Sequence, residues 1–218
     1  MQPLSKLHSC LIPLPYSNVD TDQIIPARYL KVTDKTGLAD GLFYSWRYLA
    51  DGKPNPDFPL NREAAKGCSI LIAGDNFGSG SSREHAPWAL LGWGIRAVIS
   101  TSIADIFRSN ALKNGLLPVV VDKQFHSKLF DLANSWFSSD VHQVSPKDQL
   151  NQYGVVISVV DQSITLPDGS KTNFGLDPFS KTCLLQGVDV LGYILKHKDK
   201  IRAFEDNKFA AKKESSPV

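Results

Sequence analysis

The sequence predicts an α/β fold, with a partly parallel sheet flanked by helices and a small β-rich segment after it. Three observations lead there. Apolar runs at 69–73 (SILIA), 96–101 (RAVIST) and 117–121 (LPVVV) have the length and bounding of buried strands. Stretches of helical spacing separate them, and strand–helix–strand order implies crossover connections between parallel neighbours. The first run also enters a glycine-rich turn, at the carboxyl end of a strand, where such sheets bind ligands.

Taken in order, Met1–Leu14 holds a single Lys and is interrupted by Pro3 and Pro13, with Pro15 just beyond, so it makes a poor secretory signal. In Asn18–Leu30, Val19, Ile24, Ile25 and Leu30 are apolar anchors around a polar turn of Asp20, Thr21 and Asp22 ahead of Pro26; composition alone reads this as an Asx-type turn. Tyr29–Gly41 is polar and is expected to be a mobile loop. The aromatic stretch Leu42–Leu49 suits a short helix or strand on the core, with Trp46 and Tyr48 as core or interface residues. Pro54, Pro56 and Pro59 make Asp51–Arg62 an irregular connection.

A helix is expected over about 82–92, with some distortion at Pro87. Ser102 is expected to start another, with Ile103, Ile106, Phe107 and Leu112 on one face and Gly115 closing it. A further helix spans 125–136. Val155–Val160 and Ile164–Leu166 read as strands, with a tight turn at Pro167-Asp168-Gly169. Asp189–Ile201 is amphipathic, and the tail is polar with a frayed end. The expectation is one domain over 1–218, with a core from about 4 to 200 and a polar tail from about 205.

Composition excludes several classes. An apolar fraction of 42% with four Trp supports a real core, and a net charge of +2 gives no warrant for nucleic acid or membrane as partner. No apolar run approaches the ~20 residues of a membrane span, and a cytoplasmic location is expected. Cys10, Cys68 and Cys183 are far apart, odd in number and lack a CxxC pair, which fits neither a disulfide framework nor a zinc ribbon. Buried or merely tolerated thiols are expected. His8, His126, His142 and His197 show no metal-ligand spacing, so no metal site is expected in this chain.

The chemistry concentrates in Gly74–Ala89 (GDNFGSGSSREHAPWA). Gly74, Gly78 and Gly80 let the backbone turn and approach a ligand closely. Ser81 with Glu84 three residues on fits a capping box, and a helix start is a ready anion site. Arg83 adds a fork of donors suited to a carboxylate or phosphate. A P-loop is excluded because no Lys follows the glycines at the required spacing. The dinucleotide pattern fails too, since Arg83 stands where its third Gly should pack. What remains is an anion pocket with two hydroxyls at its lip. Arg108 is a weaker anion candidate.

GSGSSREHAPWAL resembles the signature of the swivelling domain of the aconitase superfamily, which implies a swivelling β/β/α fold for this chain. With NVDTDQIIPARYL (18–30), FYSWRYL (43–49), PNPDFPLN (54–61) and SIADIFRSNALKNGLLPV (102–119), the first 120 or so residues resemble the bacterial-type small subunits of the 3-isopropylmalate dehydratases. The resemblance implies a hydro-lyase of leucine biosynthesis that isomerises 2- and 3-isopropylmalate through 2-isopropylmaleate. It implies a half-site, completed by a large subunit that carries a [4Fe–4S] cluster, with no cofactor in this chain.

Carried over residue by residue, Ser81 is the catalytic base, Arg83 clamps a substrate carboxylate and Asp22, from Thr21-Asp22-Gln23-Ile24, joins the catalytic group. Ser82, Gly80 and Thr21 bind substrate, and His85 is structural or supports Arg83. The loop at 29–41 shows no evident Arg for a third carboxylate, and its Leu30, Val32 and Leu38 suit an apolar substrate branch. The alternatives are a related dehydratase acting on homoaconitate or 2-methylmalate, or a non-catalytic anion-binding module.

Overall fold

The computed structural model describes residues 1–31, 37–139 and 145–214. Two four-stranded sheets organise it. The first is parallel, in the order β2 (Leu11–Leu14), β3 (Ile70–Ala73), β4 (Ala97–Ser100) and β5 (Leu117–Val120). The second is antiparallel, in the order β1 (Lys6–Ser9), β6 (Val155–Ser158), β7 (Ser163–Thr165) and β8 (Lys171–Asn173). The expected parallel sheet and β-rich segment are both present.

Alternation along the parallel strands feeds two cores, as the two-residue period of a strand requires. Ile12, Leu14, Leu71, Ala73 and Val98 enter one core, beside Phe77, Phe107 and Leu90. Leu11, Ile70, Ile72, Ala97 and Ile99 enter the other, with Leu129 of α6 (Lys123–Ser138) and with Val155, Ile157 and Ile164 of the antiparallel sheet. Both faces of the parallel sheet are covered, which explains its near-continuous apolar strands.

The N-terminal strands escaped the sequence reading, and proline is the reason. Pro13 lies inside β2, but β2 is an edge strand, where a missing N–H need not break a ladder. Pro118 occupies the opposite edge, in β5. Strand β8, α7 (Pro146–Tyr153) and α8 (Pro178–Gln186) were also unforeseen. Each of these helices has proline in its first turn behind a Ser or Asp cap, a start signal that pattern reading passed over.

Several boundaries differ from expectation. The helix expected from 82 is α4 (His85–Trp93), capped by Glu84 without a side-chain bond, so the Ser81–Glu84 capping box does not form. Pro87 explains the shift. It occupies the third position of the observed helix, where its missing N–H has no intrahelical partner to lose; a start at 82 would have placed it deeper. The helix expected from Ser102 is α5 (Asp105–Asn114), and Gly115 closes it in the left-handed region. Ile106 is 52% exposed and not on the core face. The strand expected to reach Val160 stops at Ser158, leaving Val160 exposed. The amphipathic stretch forms α9 (Val190–Leu195) and the start of α10 (Lys198–Glu214), so the polar tail is helical as far as Glu214.

In the loop expected at 29–41, residues 32–36 lie outside the described residues, so Val32 is not placed. On either side, Ala27–Lys31 is a 3-10 turn and Leu38–Gly41 is α2. Leu38 is buried in the core and unavailable to a substrate, which removes it from the apolar set proposed for this loop. The aromatic stretch forms α3 (Tyr44–Arg47).

Candidate active site

The site is built where the parallel strands end. Past β2, β3 and β4 the sheet continues as single bridges, Asp20 to Ser79 and Phe77 to Ile103, so the glycine loop runs between the segments that follow its two neighbours. Gly78 and Ser79 donate to the Val19 carbonyl, at 2.7 and 3.1 Å, and the Thr21 N–H donates to the Ser79 carbonyl at 2.9 Å. On the other side, the Phe77 N–H donates to Ser102 O and the Ala104 N–H to Phe77 O.

Two glycines make this threading possible. A Cβ on Gly74 would sit 2.5 Å from the Tyr16 carbonyl oxygen. Gly78 has a φ of +78°, and a Cβ there would lie 2.3 Å from the Phe107 ring. Side chains are excluded at both places, by the approach of backbone in one and of the aromatic core in the other.

A hydroxyl cluster behind the loop fixes its entry. Asp75 accepts from Thr101 Oγ1 at 2.8 Å and from Ser102 Oγ at 2.7 Å, and these bonds hold its carboxyl below the usual carboxylate range. Ser102 Oγ also accepts from the Asn76 N–H, and Ser100 Oγ donates to Gly74 O. Asn18 and Asn76, both at positive φ, are joined through their side chains at 2.9 Å. Sequence reasoning missed this frame, although Ser100-Thr101-Ser102 at the end of an apolar strand was a visible cue.

From that frame the candidate residues project. α1 (Thr21–Ile24) is a single turn closed by a capping box between Asp20 and Gln23. Asp22, on this turn, is ion-paired with Arg83. The Arg83 side chain is only 19% exposed and that of Asp22 54%, so the guanidinium is set into the wall with one edge committed. Five N–H donors on a guanidinium leave several free of that bond. Thr21 is buried, and its Oγ1 donates to the Ser81 carbonyl at 3.1 Å. Ser81 is therefore held by its backbone, while its hydroxyl stays outside that bond. Gly80, Ser81 and Ser82 are exposed. Gly80 lies against Asp20 and Thr21 at a φ of +92°.

The structure thus brings together Asp22, Thr21, Gly80, Ser81, Ser82 and Arg83 from two segments about 60 residues apart. Asp22 meets Arg83 in this cluster. His85 packs its ring 4.9 Å from that of Trp88. Arg108 stands apart, donating to the Gly175 carbonyl and lining a separate hollow between α5 and α8.

Residues 1–124 match the Aconitase C-terminal domain family. A 3-isopropylmalate dehydratase small subunit from Roseiflexus castenholzii is 55% identical over 205 residues, 94% of each chain. One from Anaeromyxobacter sp. (strain K) is 56% identical over 94% of this chain and 98% of its own. The chain belongs to the 3-isopropylmalate dehydratase small-subunit family, within the aconitase-type hydro-lyases. A solved structure, of 3-isopropylmalate dehydratase from Methanocaldococcus jannaschii, shares the fold with a TM-score of 0.61 at 25% identity, covering 92% of this chain and 99% of that one. The relatives match far beyond residue 120, where the recognisable motifs stop.

No group of three or more His, Cys, Asp or Glu that could hold a metal ion occurs among the described residues. Cys10, Cys68 and Cys183 are all buried. The Cys10 and Cys68 thiols point at the Gln149 and Ala64 carbonyls, and the hydrogen bond with Cys10, together with burial, pushes the Cys68 thiol up. No helix among the described residues is long and apolar enough to cross a membrane.

Proposed function

We propose that this chain is the proton-transferring half of a cytoplasmic 3-isopropylmalate dehydratase, a single swivelling unit that closes on a large subunit carrying a [4Fe–4S] cluster. One observation carries the reading: Ser81 and Ser82 stand exposed beside an Arg83 already oriented by Asp22, on a loop braced from both sides. The arrangement can bind a carboxylate and move a proton next to it.

In this reading Arg83 clamps a carboxylate of 2- or 3-isopropylmalate, and Ser82 hydrogen-bonds the substrate. Ser81, as alkoxide, takes the proton from the carbon beside a carboxylate. The electron pair left on carbon forms the double bond of 2-isopropylmaleate as hydroxide leaves the adjacent carbon. Rehydration with the opposite regiochemistry completes the isomerisation: hydroxide adds to the carbon that lost the proton, and the Ser81 hydroxyl gives its proton to the neighbouring carbon that lost hydroxide, which restores the alkoxide. The cluster on the partner supplies the Lewis acid for the hydroxyl. Asp22 keeps the guanidinium in place, Thr21 holds Ser81 by its carbonyl, and Gly80 leaves room for substrate. A serine alkoxide needs positive neighbours and little water; Arg83 gives the first, and cover by a partner gives the second.

The test is turnover of this chain alone, then mixed with an iron–sulfur-loaded large subunit. Silence alone and turnover of 3-isopropylmalate in the mixture are expected. Turnover of homoaconitate or 2-methylmalate instead would reassign the substrate. Inactivity on all three with a competent partner would leave a binding module.

A further inference from the structure

An aromatic shelf lies on the surface next to the site. Trp46 rests on Phe43 and Phe58 of the core, with ring centroids at 5.7 and 6.2 Å, and Tyr16 leans on Trp46 at 4.8 Å. Tyr44 and Tyr48 sit ring to ring at 4.6 Å, and the Arg28 guanidinium lies 3.9 Å over Tyr44. Tyr16 and Leu49 are 46% and 47% exposed. Together with Trp46, Tyr48, Asn55 and Asp57 they line an open hollow of ≈ 250 Å³, large enough for one bulky side chain.

Tyr, Trp and Arg are the residues that dominate the energetics of protein interfaces, most of all around a pocket that one partner side chain fills. The shelf is also physically continuous with the half-site. The Tyr16 carbonyl accepts from the Gly74 N–H at 3.1 Å, at the root of the glycine loop. The Phe43 N–H donates to Ile24 O at 2.8 Å, which seats α3 on α1, the turn that carries Asp22. α1 is only about 6 Å long. A standard interface of ~800 Å² per partner is roughly 30 Å across, so a subunit that covers Ser81 reaches the shelf as well.

Exposed apolar residues also gather toward the C-terminus, among them Phe179 on α8, Leu191, Ile194 and Leu195 on α9, and Phe204 on α10. Helix α8 ends at Gly187 against Pro3. Residues 6–14 separate that end from Tyr16 by up to about 30 Å of extended chain.

We propose that the shelf is the docking hot spot for the large subunit, its hollow taking one large apolar side chain of that partner with a cationic group facing Asp57. The inference rests on the functional reading above. It is tested by titrating the cognate large subunit with wild type, Leu49→Asp, Tyr48→Ala and Leu191→Asp, with turnover measured at saturating partner and thermal melting of each chain. Both shelf variants should weaken binding about thirtyfold or more, the size of a hot-spot loss. Turnover at saturation should stay within about twofold, and Leu191→Asp should bind like wild type.

Leu49 is exposed, so its variant stays informative if Tyr48→Ala melts early. Unchanged binding by both shelf variants, or loss through Leu191→Asp instead, overturns the proposal and leaves the function intact. A fall in turnover without weaker binding overturns it too, because the hollow would then serve substrate. A self-associated wild-type chain that Leu49→Asp splits would make a second copy the occupant. Failure of the wild-type pair to assemble removes both this proposal and the functional reading.

Discussion

The two sheets use strands of three or four residues and share a core, yet their loops are held in different ways. At the end of β3, the glycine loop is bonded to residues 16–21 on one side and 100–104 on the other. At the end of β7, the turn 166–170 closes on itself: Leu166 N–H to Ser170 O, Gly169 N–H to Leu166 O, and Ser170 N–H to Asp168 Oδ1. The site loop is positioned by distant parts of the chain, the turn by its own residues. Precise placement of reacting groups needs the first arrangement, because a locally closed turn fixes its own shape but not its position against a neighbour. Seven substitutions probe that difference.

The largest effect is expected at Ser81. Ser81→Ala removes one exposed oxygen from a residue held by its carbonyl, so the frame should survive. Turnover by the reconstituted pair should fall about 10³-fold or more, ~4 kcal/mol of barrier, with the melting temperature of the isolated chain unchanged. Its counterpart Ser170→Ala, in the locally closed turn, should leave turnover alone. Equal losses from the two would mean that the site is not where the comparison places it.

Next come the glycines. Gly78→Ala combines a left-handed backbone with a Cβ 2.3 Å from Phe107 Cγ, and about 2–4 kcal/mol of destabilisation is expected. Gly169 has a φ of +85° but open space around its Cβ position, so Gly169→Ala should lose only about 1–2 kcal/mol, from the backbone alone. Chemical denaturation of both variants measures the gap. If the two losses match, Phe107 yields and the loop is not braced as described.

Arg83→Lys keeps the charge and loses the fork. The pairing with Asp22 and the carboxylate clamp both use that fork, so kcat/KM should drop about 10–100-fold, or ~1.4–2.7 kcal/mol. Steady-state kinetics with the partner in excess would show it. A Lys variant with wild-type kinetics would mean that charge, not geometry, is what the site needs there.

How much of this could be read from the chain depends on range. The alternation of β3, β4 and β5 with α4 and α5 was legible because apolar periodicity is local, and so was Gly115 as a stop. The gathering of Ser81, Ser82 and Arg83 was legible because they are adjacent. β2 was not, since Pro13 hides an edge strand whose identity depends on its neighbour β3. The start of α4 was not, since Ser81 and Glu84 offer a cap that Pro87 and the pull of Thr21 on Ser81 O override. Asp75 was invisible for the same reason: its partners Thr101 and Ser102 come from the end of another strand. Leu38 failed in the other direction, because a loop composition gives no sign that one leucine packs into the core.

Asp75 and Asp168 offer the smallest but cleanest contrast. Hydroxyls of Ser102 and Thr101 lower the first carboxyl, and the backbone and hydroxyl of Ser170 lower the second. A carboxyl lowered on folding stabilises the fold fully above its unfolded value, near 3.9, and the gain disappears as pH falls through the lowered folded value. Asp75→Asn and Asp168→Asn should therefore each be slightly less stable than wild type near pH 6, and both differences should shrink in acid below the ordinary carboxylate range. Their effects on catalysis should part. The bonds of Asp75 tie the glycine loop to the end of β4, so Asp75→Asn should lower turnover severalfold at neutral pH, while Asp168→Asn should leave it unchanged. Denaturation at the two pH values reads the first pair of outcomes and kinetics the second. Equal turnover in the two variants would mean that Ser17, Ser100 and the backbone bonds hold the loop without Asp75, and that the bracing from β4 is redundant.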